Sequence, residues 1–104
     1  MAVTAKALAR TAAATSNTTL YTVPNTSTTT IVTNIVVANT SASSQTFTIN
    51  IDAVAVLSGV SLAANSSAFF DLKQVIPANA TPKTITGSAS ATTVNFHISG
   101  VEVV

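Results

Sequence analysis

The abundance of β-branched side chains restricts the fold of this sequence more than any other feature. Of the 104 residues, 19 are Thr, 13 are Val and 7 are Ile. Two heavy atoms on Cβ restrict χ1 and favour the extended backbone of a strand. Residues 46–52 alternate strictly, with Phe47, Ile49 and Ile51 on one side and polar residues on the other. Because such alternation is typical of strands with one buried face, the sequence predicts an all-β fold.

Clusters of Asn, Ser, Gly and Pro divide the chain into short segments and mark turns. About 7–8 short strands at this spacing predict an antiparallel β-sandwich. Alternation does not give strand order, so the jelly-roll and immunoglobulin-like types both remain open. At Gly100 the apolar phase changes from even to odd positions, which predicts a β-bulge. The predicted strands are 18–23, 29–39, 45–52, 53–57, 60–63, 67–73, 83–90 and 93–104. The two segments 45–52 and 53–57 form either one hairpin or one bent strand.

The first 17 residues differ from the rest in composition. They are rich in Ala and Thr and contain Lys6 and Arg10, two of the four basic residues. Alanine permits a helix, but like charges at i and i+4 disfavour one, and the segment has no large apolar stripe. We therefore expect an N-terminal arm at 1–17, flexible alone and ordered against a partner, followed by a sandwich domain at 18–104. Lys6 and Arg10 also interrupt the apolar run that a signal peptide needs, so we expect synthesis inside the cell.

The composition leaves little material for chemistry. Charged residues make up 7% of the chain, the net charge is +1, and there is no Cys. The three carboxylates are scattered at Asp52, Asp71 and Glu102, and alternation places the one histidine, His97, on an outward face. No Gly-x-Ser-x-Gly elbow is present, and no apolar run approaches the ~20 residues of a membrane helix. We expect no enzyme activity, no cofactor, no metal site, and neither nucleic acid nor a membrane as partner.

Several predicted strands carry more apolar residues than a single buried face requires. Within residues 31–37, apolar side chains occupy both faces, and the adjacent Phe69 and Phe70 must point to opposite sides of a strand. An exposed apolar patch of this kind marks a contact surface unless the chain covers it with its own loops or its N-terminal segment. We expect the first outcome, a homo-oligomer or a permanent partner. The candidate interface residues are Val32, Val36, Phe69 and Val104, and Lys6 and Arg10 are the candidates for docking through the arm.

The sequence also resembles a family. A Tyr-Thr-Val-Pro start at 21–24 leads into a strand that ends in Ala-Asn at 38–39, as in small β-sandwich proteins of tailed bacteriophage virions. The segments 58–76 and 94–103 are similar to that family in layout and short phrases.

This resemblance implies a virion protein made in the host cytoplasm, most specifically a capsid decoration (cement) protein on the outer head surface. It implies a homotrimer that contacts the major capsid protein or other virion proteins, often through an N-terminal arm. Two alternatives stay open. One is a tail or fibre component with a host-binding role, and the other is a bacterial pilus or surface adhesin domain.

Overall fold

The computed structural model describes residues 2–104, and in that range the chain forms eight strands and no helix. Most strand boundaries lie close to those predicted from the alternation pattern. The strands are β1 (Val3–Ala12), β2 (Thr18–Thr22), β3 (Thr29–Asn39), β4 (Gln45–Ile51), β5 (Val54–Leu62), β6 (Ser66–Ile76), β7 (Thr84–Ala89) and β8 (Val94–Val103).

The strands form two antiparallel four-stranded sheets, in the orders β1-β8-β3-β6 and β2-β7-β4-β5. The first strand pairs with the eighth, the second with the seventh, the third with the sixth, and the fourth with the fifth. A long hairpin wound around a common core gives this pairing, which is that of a jelly roll. An immunoglobulin-like sandwich has a different strand order. The predicted β-sandwich is therefore confirmed, and its connectivity is of the jelly-roll type.

The core between the sheets is built from the inward positions of the alternating strands. Phe47, Ile49 and Ile51 are buried, as the alternation in β4 predicts. The Phe47 ring lies edge-on to two others, with centroids 6.0 Å from Phe70 and 6.2 Å from Phe96. Phe47 lies in one sheet and the other two rings in the opposite sheet, so aromatic contacts at favourable geometry join the two layers.

The connection between β4 and β5 is a two-residue hairpin. Asp52 and Ala53 have φ angles of 54° and 61°, as the type I′ turn between twisted antiparallel strands requires. The predicted separate strands at 53–57 and 60–63 are one strand in the structure. Gly59, with φ of 56°, lies in a β-bulge where its N–H donates to Thr48 Oγ1 at 3.0 Å, so the strand continues through the glycine.

From Ala2 onward the N-terminal segment is part of the sandwich, which corrects the expected arm at 1–17, and Met1 lies outside the described residues. Residues Val3–Ala12 form β1, which pairs with β8 along its length. The register shifts between Ala7 and Ala9, and the extra residue is Leu8, the one large apolar side chain in the middle of the segment. This bulge buries Leu8 and Ala9 side by side. β1 has no large apolar stripe. The buried side chain of Leu8 and the main-chain hydrogen bonds to β8 hold it in the sandwich instead.

Gly100 allows this packing. A Cβ atom built on it would lie 2.2 Å from the Ile31 carbonyl oxygen and 2.9 Å from Leu8 Cδ1. The bulge predicted at Gly100 lies instead in the two neighbouring strands, as an extra Leu8 in β1 and an extra Thr33 in β3. The predicted phase change within β8 is therefore wrong, because the Glu102 side chain still reaches the buried Tyr21 hydroxyl from the inward side.

Candidate interaction surface

The outer faces of the two sheets differ in chemistry. On the sheet β2-β7-β4-β5, the half-buried or exposed positions that alternate with the core residues of the two central strands are all polar and uncharged. Hydroxyl and amide groups of this kind remain hydrated without cost. This face therefore has the polar-out pattern of a sheet that borders water. The residues in question are Thr46, Thr48, Asn50, Thr84, Thr86 and Ser88.

The outer face of the sheet β1-β8-β3-β6 contains both apolar and polar side chains. The strand registers align Ala5, Val101, Ile31 and Val75 in one row across all four strands. Val75 is 58% exposed, and Ile31 and Val101 are half-buried. A continuous apolar row on the solvent side of a sheet is unfavourable for an isolated subunit and favours contact with another surface.

A second row on the same face contains three of the residues selected from the sequence. Arg10, His97, Val36 and Phe69 are direct cross-strand neighbours. Phe69 is 75% exposed, whereas Phe70 packs on the core, so the predicted split of the two rings is confirmed. We call these two rows and the residues between them the outer face.

Val32, proposed as an interface residue, is fully buried, which corrects that prediction. The extra residue Thr33 in β3 reverses the alternation, so Val32 and Ile35 both point inward and Ile31 lies outside. Val104, at 61% exposed, follows the last strand, where its main chain exchanges two hydrogen bonds with Ala2. Its exposure agrees with the role proposed for it, but it lies at the end of the outer face.

The two basic residues of the expected arm are placed on β1 with different surroundings. Arg10 is exposed on the outer face, next to His97. Lys6 pairs with Glu102, with Nζ 3.3 Å from Oε2. Lys6 is thus engaged within the chain, whereas Arg10 is available to a partner.

Glu102 also belongs to a hydrogen-bond network that joins the two sheets. The Tyr21 hydroxyl on β2 donates to Glu102 Oε2 at 2.5 Å and lies 2.8 Å from Thr30 Oγ1 on β3. Thr30 and Tyr21 are buried, so these polar groups satisfy one another away from water. With Lys6 at its outer end, the network connects strands from both layers and has a structural role.

The same network makes stability depend on alkaline pH. Burial, helped by the hydrogen bond to Glu102, raises the pKa of Tyr21 to about 12, whereas an unfolded tyrosine has a pKa of about 10. The native state holds this proton more tightly. Its stabilising contribution is therefore complete below about pH 10 and is lost as the pH rises through about 12.

We expect the free energy of unfolding, measured with urea at about pH 9 and about pH 11.5, to fall more in the wild type than in Tyr21→Phe. The Phe variant has no phenol to titrate and serves as the control for lysine deprotonation. Tyr21 is the one tyrosine in the chain, so tyrosinate absorbance reports this group alone. Equal pH dependence in both proteins would contradict the assignment.

The remaining charged and titratable groups do not converge. Asp52 pairs with Lys83 at 3.6 Å beside the β4–β5 hairpin. Within residues 2–104 no three His, Asp or Glu side chains come together in a group that could hold a metal ion, and no helix is long and apolar enough to cross a membrane. Asp71 and Lys73 are exposed on β6 with no ion-pair partner in the described range.

Three large apolar residues of the outer face were not selected from the sequence: Ile31, Val75 and Val101. Val75 shares the odd phase of Phe69 along β6, and this signal could have identified it. Val101 shares the odd phase of His97 along the regular strand β8, so the same signal could have identified it. Ile31 could not be found in this way, because its orientation depends on the extra residue Thr33 in β3, which only the pairing with neighbouring strands reveals.

No protein-family model matches the chain, and no curated protein matches it. Two solved structures share its fold. One is a chain of the T13 particle of infectious bursal disease virus, with a TM-score of 0.51 and 13% identity over 97% of this chain. The other comes from the Gx strain of the same virus, with a TM-score of 0.50 and 19% identity over 97% of this chain.

The alignments cover 30% and 32% of those viral chains, so this chain spans about a third of their length. At such identities the similarity establishes a shared fold. Both neighbours come from the particles of a virus that is not a tailed bacteriophage. The comparisons therefore agree with the resemblance at the level of the β-sandwich fold.

Proposed function

We propose that this chain is a non-enzymatic structural protein of a virion, which attaches to its neighbours through the outer face of the sheet β1-β8-β3-β6. The observation that carries the proposal is the continuous apolar row of the outer face, on a fold that chains of a virus share. The more specific assignment is a capsid decoration protein on the outer head surface of a tailed bacteriophage. It rests on the resemblance of residues 21–39 and 94–103 to that family.

Covering the outer face supplies enough free energy for attachment. Four strands about 4.8 Å apart, each of about ten residues rising about 3.4 Å, make a face of roughly 650 Å². If half of that area is apolar and becomes covered, the gross gain is about 8 kcal/mol, before the cost of association. A shell offers many identical sites, so linked copies would dissociate far more slowly than a single one.

The polar contact that we propose for this attachment comes from Arg10 on β1. Arg10 lies in the row with Val36 and Phe69, where its guanidinium can meet a carboxylate on an acidic shell surface. Lys6 contributes less to the partner, because it is already paired with Glu102. Burial of the apolar rows supplies the attraction, and Arg10 fixes the orientation.

The proposal is tested by binding to particles that lack this chain. Val36→Lys places a charge at the centre of the outer face, and we expect it to weaken binding at least tenfold, about 1.4 kcal/mol. Thr86→Lys is the matched control, because it introduces the same charged side chain on a central strand of the polar sheet face, and it should bind as the wild type does. Co-sedimentation with particles measures both.

Normal binding of Val36→Lys, or absence of the chain from purified virions, would contradict the proposal. A chain found on tails or fibres would refute the decoration assignment and keep the virion role. Location on bacterial cells in the absence of virus would favour the adhesin alternative and overturn both.

A further inference from the structure

The outer edge of β6 has no neighbouring strand, and β6 also carries exposed apolar side chains. β6 (Ser66–Ile76) is the last strand of its sheet and pairs with β3 alone. At its midpoint a shallow depression of about 340 Å³ opens, lined by Asp71, Leu72 and Lys73. An eleven-residue strand with an unpaired row of main-chain donors and acceptors can accept a further strand.

Exposed apolar side chains are concentrated on this flank of the sandwich. Six large apolar side chains are exposed among residues 2–104, and four of them lie on β5 and β6, the adjoining edge strands of the two sheets. β5 contributes Val54 and Val56, and β6 contributes Phe69 and Val75. We call this side of the molecule the β5–β6 flank.

The sequence of β6 is self-complementary. Phe69, Asp71, Lys73 and Val75 are all exposed at successive odd positions of β6. If a second β6 pairs antiparallel with the first, centred on Leu72, Asp71 faces the partner's Lys73 and Phe69 faces the partner's Val75. A two-fold axis produces each contact twice. Opposite charges and an aromatic with a β-branched residue are both favourable cross-strand pairs.

Other registers of the two β6 strands do not place these complementary side chains opposite each other. A shift by one residue places the outer face of one copy beside the inner face of the other. A shift by two places Asp71 opposite its own copy, or Lys73 opposite its own copy, and like charges directly opposite are destabilising. A lone lysine would protect the edge against pairing. An aspartate two residues before it instead favours one partner in one register.

We propose that two copies of this chain associate by antiparallel pairing of their β6 edges, centred on Leu72. The two sheets become one continuous eight-stranded sheet, and their outer faces join into one larger surface. The β5–β6 flanks meet beneath it and cover Val54 and Val56. This proposed two-fold pairing differs from the trimer implied by the family resemblance, and it does not depend on the virion role.

Charge reversal tests the pairing, with mass in solution measured by sedimentation equilibrium at micromolar concentration. The wild type should have twice the mass of the chain. Asp71→Lys gives four facing cations and Lys73→Asp four facing anions, so each variant should shift to the monomer. Mixing the two variants should restore the dimer, because every Lys then faces an Asp. The double swap Asp71→Lys with Lys73→Asp should restore it within one sequence.

Arg10→Asp is the matched control for Lys73→Asp, since it makes the same charge change on the opposite edge of the sheet, and it should remain dimeric. Circular dichroism of each protein checks that it is folded. A monomeric or trimeric wild type, single reversals that stay dimeric, or a mixture that stays monomeric would each overturn the proposal. A negative result in these tests would overturn the β6 dimer but not the proposed binding to particles, because the two proposals are tested by different measurements.

Discussion

Removal of residues 1–15 is expected to abolish most of the stability of the domain. The truncated chain loses β1, the buried Leu8, Ala9 and Ala13, and every main-chain hydrogen bond between β1 and β8. It also leaves β8 as a bare edge. A domain of this size is stable by only about 5–15 kcal/mol, so the loss of one of eight strands leaves a small margin or none. Urea unfolding followed by circular dichroism measures the effect.

A single substitution is the control for this truncation. Leu8→Ala keeps the strand and removes only the buried side chain, so it should lower the free energy of unfolding by about 2–3 kcal/mol and leave a cooperative transition. A truncated chain that unfolds at the same urea concentration as the full chain would show that the segment is a dispensable arm.

Gly100→Ala is expected to be the most damaging single-methyl change in the chain, lowering the free energy of unfolding by about 3 kcal/mol or more. The new Cβ would meet the Ile31 carbonyl at 2.2 Å, which is main chain and cannot rotate away. Relief requires β3 and β8 to separate beside the two bulges that hold Leu8 and Thr33. Chemical denaturation measures the loss.

Gly59→Ala separates this steric effect from the conformational preference of glycine. Gly59 has a φ of 56° and no atom within 4 Å of an added Cβ, so its substitution costs only the left-handed conformation, about 1 kcal/mol. Equal losses for the two variants would mean that the close contact at Gly100 does not hold in the native state.

Alternation in the sequence predicts strands well where it is regular. β4 is predicted with its buried face, and the split of Phe69 from Phe70 follows from adjacency alone. β1 could not be found in this way, because its alanines are as compatible with a helix as with a strand. Only pairing with β8, more than eighty residues away in the sequence, decides between them.

The candidate surface was predicted in part, and its errors have one physical origin. Of the predicted interface residues on β3 and β6, Val36 and Phe69 lie on the outer face and Val32 lies in the core. The extra residue Thr33 in β3 reverses the faces of everything before it, and a one-residue change of this kind exchanges core and surface. Bulges arise from the fit between neighbouring strands, so a single strand's alternation does not reveal them.

The two sheet faces together suggest how the molecule is oriented. The hydroxyl-rich face of the sheet β2-β7-β4-β5 is compatible with permanent exposure to water, and the outer face of the other sheet is not. In a particle, we expect the first face to point outward and the second to rest on a neighbouring subunit. Low net charge, +1, opposes such close contact only weakly.

A reconstruction of the virion by electron cryomicroscopy tests the central claim most directly, because it shows which face of the chain touches a neighbour. We predict that the outer face of the sheet β1-β8-β3-β6 lies against a shell subunit with Val36 covered, and that Thr48 and Thr86 on the opposite sheet face solvent. A particle in which Val36 and Ile31 face solvent, or one that lacks this chain, would contradict the account.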